Sequence, residues 1–133
     1  MTIRDTDGER IYIMTGDNLV DRNLDWLSLS DADFNLKNLS GASFVGANLY
    51  RADFSRAELV NVDFRSASLS FAEFRNADLS GANLSDVYLY NVDLRGANLN
   101  GIIVSHKTII NNTTKLEPHQ LTYLLLLGAK YEY

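Results

Sequence analysis

Large apolar residues recur at every fifth position of this chain, from Leu29 to Val104, with no insertion or deletion. The series reads Leu29, Phe34, Leu39, Phe44, Leu49, Phe54, Leu59, Phe64, Leu69, Phe74, Leu79, Leu84, Leu89, Leu94, Leu99, Val104. Two residues before each stands a second apolar series, from Leu27 to Ile102, in which alanine dominates and only Lys37 is polar. Asp, Asn, Ser or Glu usually separates the two. Five of the eight glycines (Gly41, Gly46, Gly81, Gly96, Gly101) fall two residues after a residue of the first series.

A period of five suits neither an α-helix, whose faces recur about every 3.6 residues, nor a flat strand, whose faces alternate. An apolar pair two residues apart is a short extended segment with both side chains on one side. The chain must then turn, and glycine suits that turn. Identical turns wind the chain into a coil whose laps stack through backbone hydrogen bonds at about 4.8 Å. The expected product is a solenoid with the apolar pairs inside.

Runs such as Ala47-Asn48-Leu49-Tyr50-Arg51, Ala77-Asp78-Leu79-Ser80-Gly81 and Ala97-Asn98-Leu99-Asn100-Gly101 resemble the pentapeptide-repeat family, with its A-(D/N)-L-X-X consensus. The resemblance covers residues 27 to 104. It implies an all-β fold, a right-handed quadrilateral β-helix with four pentapeptides per coil. Asp17-Asn18-Leu19 and Arg22-Asn23-Leu24 keep the frame but carry charge where alanine is expected. Residues 1–26 are therefore read as an N-terminal cap with irregular first repeats, 27–112 as the β-helix, and 113–133 as a C-terminal helix and tail, all in one structural domain. Lys37 falls one layer from Asp17, where the two charges can pair.

Four pentapeptides per lap make residues twenty apart neighbours in adjacent coils. Phe34, Phe54 and Phe74 then form one interior column and Phe44 and Phe64 the opposite one, with leucines on the sides between. That arrangement fills a narrow interior without placing two rings at adjacent corners.

An open solenoid end is an unpaired strand edge, so both termini should be caps. The β-prone run Arg10-Ile11-Tyr12-Ile13-Met14 is expected to cover or extend the first coil. At the back, Pro118 opens a helical stretch that Gly128 stops, and Glu117 with Gln120 resembles a capping box. A stripe of Leu121, Leu124 and Leu125 is expected to lid the last coil. Tyr123, Leu126 and Leu127 point elsewhere, either under the tail or toward a second subunit, making a homodimer through the C-terminal helix one of two open readings.

Composition removes several function classes. The chain has no cysteine, which excludes a disulfide framework and thiolate zinc sites. With 17 acidic against 12 basic side chains the net charge is −5, which disfavours direct nucleic-acid binding. No run of eighteen apolar residues occurs, and Met1-Thr2-Ile3-Arg4-Asp5 lacks a signal peptide's apolar core, so the expected location is the cytoplasm, off the membrane. His106 and His119 have no metal-ligand spacing and no nucleotide or hydrolase motif occurs, so neither catalysis nor a cofactor or metal is expected.

Two outward features remain. Asp33, Asp53, Glu73 and Asp93 share one column, and Glu58 and Asp78 form a shorter one on the next face. The acids are read as compensated by Arg56, Arg75 and Arg95, as a divalent-cation site with few ligands, or as a DNA-like stripe. The last draws on the resemblance, since some family members bind DNA gyrase or topoisomerase IV in place of a duplex. Residues 31 to 104 carry nine acids and six bases, a sum of −3, against a duplex with one charge per about 1.7 Å. Tyr50, Phe71, Tyr88 and Tyr90 gather on one face and are read either as a partner patch or as a stabilising ladder. The leading functional reading is a non-enzymatic scaffold that binds a protein partner; the alternative is a DNA-mimicking inhibitor or protector of gyrase or topoisomerase IV.

Overall fold

From Asn23 to Ile103 every lap of the chain is twenty residues long, and the backbone ladder shows it. Parallel bridges join Asn23 to Ser43, Asp33 to Asp53, Asp53 to Glu73, Glu58 to Asp78 and Asn83 to Ile103. The structure, a computed structural model, describes the backbone of residues 2–4 and 10–12 and all of residues 18–133. Within each rung the Phe34 N–H donates to the Asp53 carbonyl at 2.8 Å, and the Asp53 N–H returns to Ala32 at 2.9 Å. Each turn closes three residues after the core position, as where the Ala57 N–H meets the Phe54 carbonyl at 3.0 Å.

The turn explains the sequence at two positions. The second residue after each inward pair sits at positive φ, from Asp21 at 57° through Gly41 at 73° to Gly101 at 68°. At Gly81 a Cβ would also meet the Asn61 side-chain oxygen one coil away, so a larger residue there requires Asn61 to move as well. The outward Asp or Asn between the apolar pair accepts the N–H two residues on, as Asp53 does from Ser55 at 2.8 Å and Asn48 from Tyr50 at 3.1 Å. That bond supplies a partner the turn would otherwise lack.

The phenylalanine columns stand as the register requires. Phe34, Phe54 and Phe74 stack at 4.9 Å between successive centroids, and Phe44 lies 5.3 Å from Phe64. The columns meet edge to face, with Phe54 at 5.8 Å from Phe44 and 5.5 Å from Phe64. All five rings are fully buried.

The coil begins earlier than residue 27. Leu19 and Leu24 are buried, and the Ser43 N–H donates to the Arg22 carbonyl at 2.8 Å. The ladder uses main-chain groups whatever the side chain, and Arg22 in this end coil reaches solvent. Strands β1 (Thr2–Arg4) and β2 (Arg10–Tyr12) pair antiparallel. The remainder of the proposed front cap, Ile13 and Met14, and the Asp17 partner proposed for Lys37 lie outside the described residues.

The back end also departs from the expected boundary at 112. After Ile103 the spacing lengthens to 21 residues at Tyr88–Ile109 and 22 at Asp93–Lys115 (109 − 88 and 115 − 93), so the ladder runs on with a slipped frame. Two buried threonines accommodate the slip: Thr108 and Thr114 donate their hydroxyls to the carbonyls of Leu84 and Leu89, each at 2.8 Å. Strand β3 (Ile109–Asn111) belongs to this last lap. Helix α1 (Pro118–Leu126) crosses the end, and β4 (Lys130–Glu132) returns to pair in parallel with β3.

The rotation of α1 differs from the expected stripe. Leu124 is buried and Leu121 partly so, but Leu125 is exposed and Gln120 takes the inward place, only 2% exposed. Gln120 accepts the Glu117 N–H at 2.9 Å and turns its own amide to the coil, which fixes the helix about its axis.

Candidate functional site

Outward side chains inherit their positions from the coil. Tyr50, Phe71 and Tyr90 occupy one corner in three successive layers, and the Phe71 N–H donates to the Tyr90 carbonyl at 3.3 Å. Tyr88 stands on the adjoining face. The four aromatics resolve into two pairs: Tyr50 and Phe71 edge to face at 5.5 Å, and Tyr88 and Tyr90 stacked at 5.6 Å. Phe71 is 47% exposed and Tyr88 58%. Phe71 takes φ 63°, the left-handed conformation that glycine fills in five other turns.

Tyr90 is tied differently. Its hydroxyl donates to Glu132 Oε2 at 2.6 Å, fastening β4 to the coil. That hydrogen bond, with desolvation and the Glu132 charge added, pushes the phenol up to about 12. Beside Tyr88 an open groove of about 380 Å³ is lined by Asp86, His106, Lys107, Ile109, Lys130 and Glu132.

The acidic column is real, but its compensation is concentrated at one end. Asp33, Asp53, Glu73 and Asp93 follow one another in the ladder, and Lys115 caps the row above Asp93. Asp93 is buried and takes Arg95 through both oxygens, at 2.9 and 2.7 Å, with Arg75 at 3.7 Å. The hydrogen bond from Arg95 holds the Asp93 carboxyl below the usual range against the opposing effect of burial. Arg56 reaches none of these acids among the described residues, so the expected ladder of three compensating arginines reduces to two on one carboxylate. Glu58 and Asp78 are neighbours as expected, with Asn98 donating its amide to Asp78 at 3.2 Å. Among the described residues no group of three His, Asp or Glu side chains is placed to hold a metal. His106 and His119 are both exposed, the latter 3.5 Å from Glu117.

At the C-terminal end the three candidate contact residues separate. Tyr123 is turned to the coil, where its hydroxyl accepts the Gly101 N–H at 3.2 Å, and so belongs to the cap. Leu126 is 80% exposed, with Leu127 and Leu125 also exposed. Neither leucine is covered by the tail, because β4 continues the ladder over β3 instead of folding back on α1.

The sequence reading passed over Trp26 and Leu36. Both are large, exposed and held at φ 62° in turn positions, where the frame itself marks them as outward. Trp26 falls in the column of Gly46 and Ser66, and Leu36 in that of Arg56 and Asn76, so neither joins the Phe71 corner. Gln120 was read as a cap residue only, since a polar side chain in an amphipathic helix carries no sign of burial.

The model of the pentapeptide-repeat family matches residues 23–59, 32–70 and 63–101. Among solved structures, alr5209, a pentapeptide repeat protein from Nostoc PCC 7120, is 28% identical over 84% of this chain and 85% of that one, with a TM-score of 0.53. HetL, a pentapeptide repeat protein involved in heterocyst differentiation regulation from the cyanobacterium Nostoc sp. strain PCC 7120, is 35% identical; the match covers 61% of this chain but 35% of that one, with a TM-score of 0.48. QnrB1, a plasmid-mediated fluoroquinolone resistance protein, is 20% identical over 85% and 91% of the two chains, at 0.44. A comparison with curated proteins found no match. The twenty-residue lap, the inward pairs and the matched repeats lead to one conclusion: the chain belongs to the pentapeptide-repeat family, whose fold is a right-handed quadrilateral β-helix.

Proposed function

We propose that this chain is a non-enzymatic binding protein that engages a protein partner through the Tyr50–Phe71 corner and the neighbouring Tyr88. The observation that carries the reading is Phe71. A left-handed conformation costs a side-chain-bearing residue roughly 1–2 kcal/mol, yet Phe71 is half exposed and its ring meets only Tyr50 among the described aromatics. Eleven other side-chain-bearing residues, most of them polar, take the same conformation at this turn position, so the turn itself does not call for an aromatic. Grouped exposed aromatics are what protein contacts use. A rigid coil presents them with little ordering left to lose on binding.

Phe71→Asn tests the reading, because Asn tolerates positive φ. Wild type and variant are immobilised and offered the same host extract. A protein held by the wild type and lost from the variant, at similar melting temperatures, supports the proposal. A large melting loss with unchanged capture means the corner is a stabilising ladder.

The alternative, mimicry of DNA before gyrase or topoisomerase IV, draws on the bare part of the acidic column. Asp33, Asp53 and Glu73 are three carboxylates at about 4.8 Å spacing, and the fourth is neutralised by Arg75 and Arg95. This is sparse beside a duplex. A supercoiling assay with gyrase that shows no effect at micromolar protein dismisses it.

A further inference from the structure

Helix α1 leaves one main-chain group of the rung beneath it unserved. In the coils below, the N–H of a core residue donates to the outward residue one lap on, as Leu59 does to Asp78 at 2.8 Å and Leu79 to Asn98 at 2.9 Å. After the frame slips, Leu94 donates to Lys115 at 2.9 Å, twenty-one residues on (115 − 94), so the register mate of Leu99 is Gln120 (99 + 21). Gln120 lies inside α1, where a carbonyl is directed along the helix. Side chains of α1 replace the ladder on either side of Leu99. Gln120 donates to the Ala97 carbonyl at 3.2 Å, and the Tyr123 hydroxyl accepts the Gly101 N–H at 3.2 Å. Between them the Leu99 N–H has no acceptor among the described residues, in a residue only 5% exposed. A main-chain donor this buried ordinarily has a partner.

Leu99 lines a cleft of about 360 Å³ between this rung and α1, together with Asn100, His119 and Tyr123. The unused capacity of the cleft is for donation. The Tyr123 oxygen takes the Gly101 N–H and keeps its own proton to give. The side-chain amide of Asn100 is exposed and makes no bond among the described residues. Among those residues no carboxylate lines the cleft. The two acids bonded to its rim are engaged: Asp78 by the Asn98 amide and the Ser80 hydroxyl, and Glu117 by His119 at 3.5 Å.

We infer that this cleft binds a small organic carboxylate, held by the Leu99 N–H, the Tyr123 hydroxyl and the Asn100 amide. A carboxylate accepts and does not donate, which matches three free donors. A phosphate would call for more basic side chains than His119 alone. The side chains of Ala97 and Leu99 and the Tyr123 ring supply apolar surface for the body of the ligand. A free acid and the C-terminus of a peptide present the same group. The site shares no residue with the aromatic corner and does not rest on it.

An amide NMR titration of the full chain reads the site through the Leu99 proton. Benzoate serves as the free acid and acetyl-alanyl-alanine as the chain terminus, each against its own amide at matched ionic strength. The expected result is a saturable downfield shift at Leu99 with at least one acid, at an affinity about tenfold above that of the matching amide. The acid that binds more tightly identifies the source. Asn100→Asp sets a charge against the ligand and should weaken the acid at least about tenfold at unchanged melting temperature. Asn100→Ala, which removes the donor alone, should weaken it by a smaller factor. A Leu99 amide that saturates with neither acid overturns the proposal. So does equal binding of acid and amide, or acid binding that Asn100→Asp and Asn100→Ala both leave intact.

Discussion

The side-chain amide of Gln120 donates to the main-chain carbonyl of Leu94 at 2.6 Å and to that of Ala97 at 3.2 Å. In the coils below, a carbonyl in the place of Ala97 receives a backbone N–H from twenty-one residues on, as Ala57 does from Asp78 at 3.0 Å and Ala77 from Asn98 at 2.9 Å. At this end the frame has slipped by two residues, the Val92 carbonyl receiving the Lys115 N–H from twenty-three residues on (115 − 92), so the residue in register with Ala97 is Gln120 itself. The chain has by then entered α1, and Gln120 supplies the donor from its side-chain amide. Replacing it by leucine, similar in bulk, leaves the Ala97 carbonyl without that bond. The expected loss is roughly 1–3 kcal/mol in urea unfolding. Amide exchange should quicken around Leu94 to Gly101 while the central coils keep their protection.

Phe54 sits between Phe34 and Phe74 and meets both rings of the opposite column. Truncation to alanine removes the middle of a continuous stack that the rigid coil cannot close over. Phe54→Ala should cost roughly 3–5 kcal/mol. Ala57→Leu, which forces extra volume into the same full interior, should cost roughly 1–3 kcal/mol. Denaturant titrations of the two variants check both the size and the order. An equal or reversed order would mean that the coil collapses more readily than it expands.

The five-residue period was enough to locate every inward residue from Leu29 to Leu99, because one uninterrupted frame admits one register. The same frame placed the acidic column and the aromatic corner, whose members are fixed by position alone. What it could not place depended on where long side chains reach. Arg75 extends one layer up to Asp93 instead of staying with Glu73, and so leaves the lower acids bare. The rotation of α1 was hidden for a different reason. Leu124 to Leu127 are four identical residues in a row, and a helical period cannot choose among them. Gln120 makes the choice through hydrogen bonds, which hydropathy does not register. The first coil was missed because the charge at Arg22 was judged by its side chain, while the ladder uses its carbonyl.

Asp93 should give the protein part of its acid sensitivity. Hydrogen bonds from Arg95 hold its folded pKa below the ordinary value despite burial. A depressed carboxylate stabilises the fold fully above the unfolded pKa, about 3.9 for Asp. It loses that contribution as pH falls through the lower, folded value. Asp93→Asn removes the titration. The stability gap between wild type and variant, from urea unfolding, should be widest near neutrality and narrow as pH falls below the ordinary Asp value toward the lower, folded one. A gap that stays constant across that range would show that the ion pair does not govern the difference.

Asp53 presents the opposite case, a carboxylate flanked in the ladder by Asp33 and Glu73 with no ion pair to any of the three among the described residues. Like charges directly across a ladder are destabilising by about 0.2–1 kcal/mol. The one bond Asp53 supplies, acceptance of the Ser55 N–H, is within reach of an asparagine oxygen as well. Asn48, Asn83 and Asn98 make that bond in their own turns. Asp53→Asn should therefore raise the melting temperature by a degree or a few at low ionic strength. The gain should fade with added salt as screening shortens to less than the coil spacing, about 3 Å at 1 M. A variant less stable than wild type at every salt concentration would show that the carboxylate does more for its turn than it costs the column. A partner that reads the stripe by charge would also bind this variant more weakly, whereas one that docks at Phe71 would not distinguish the two proteins.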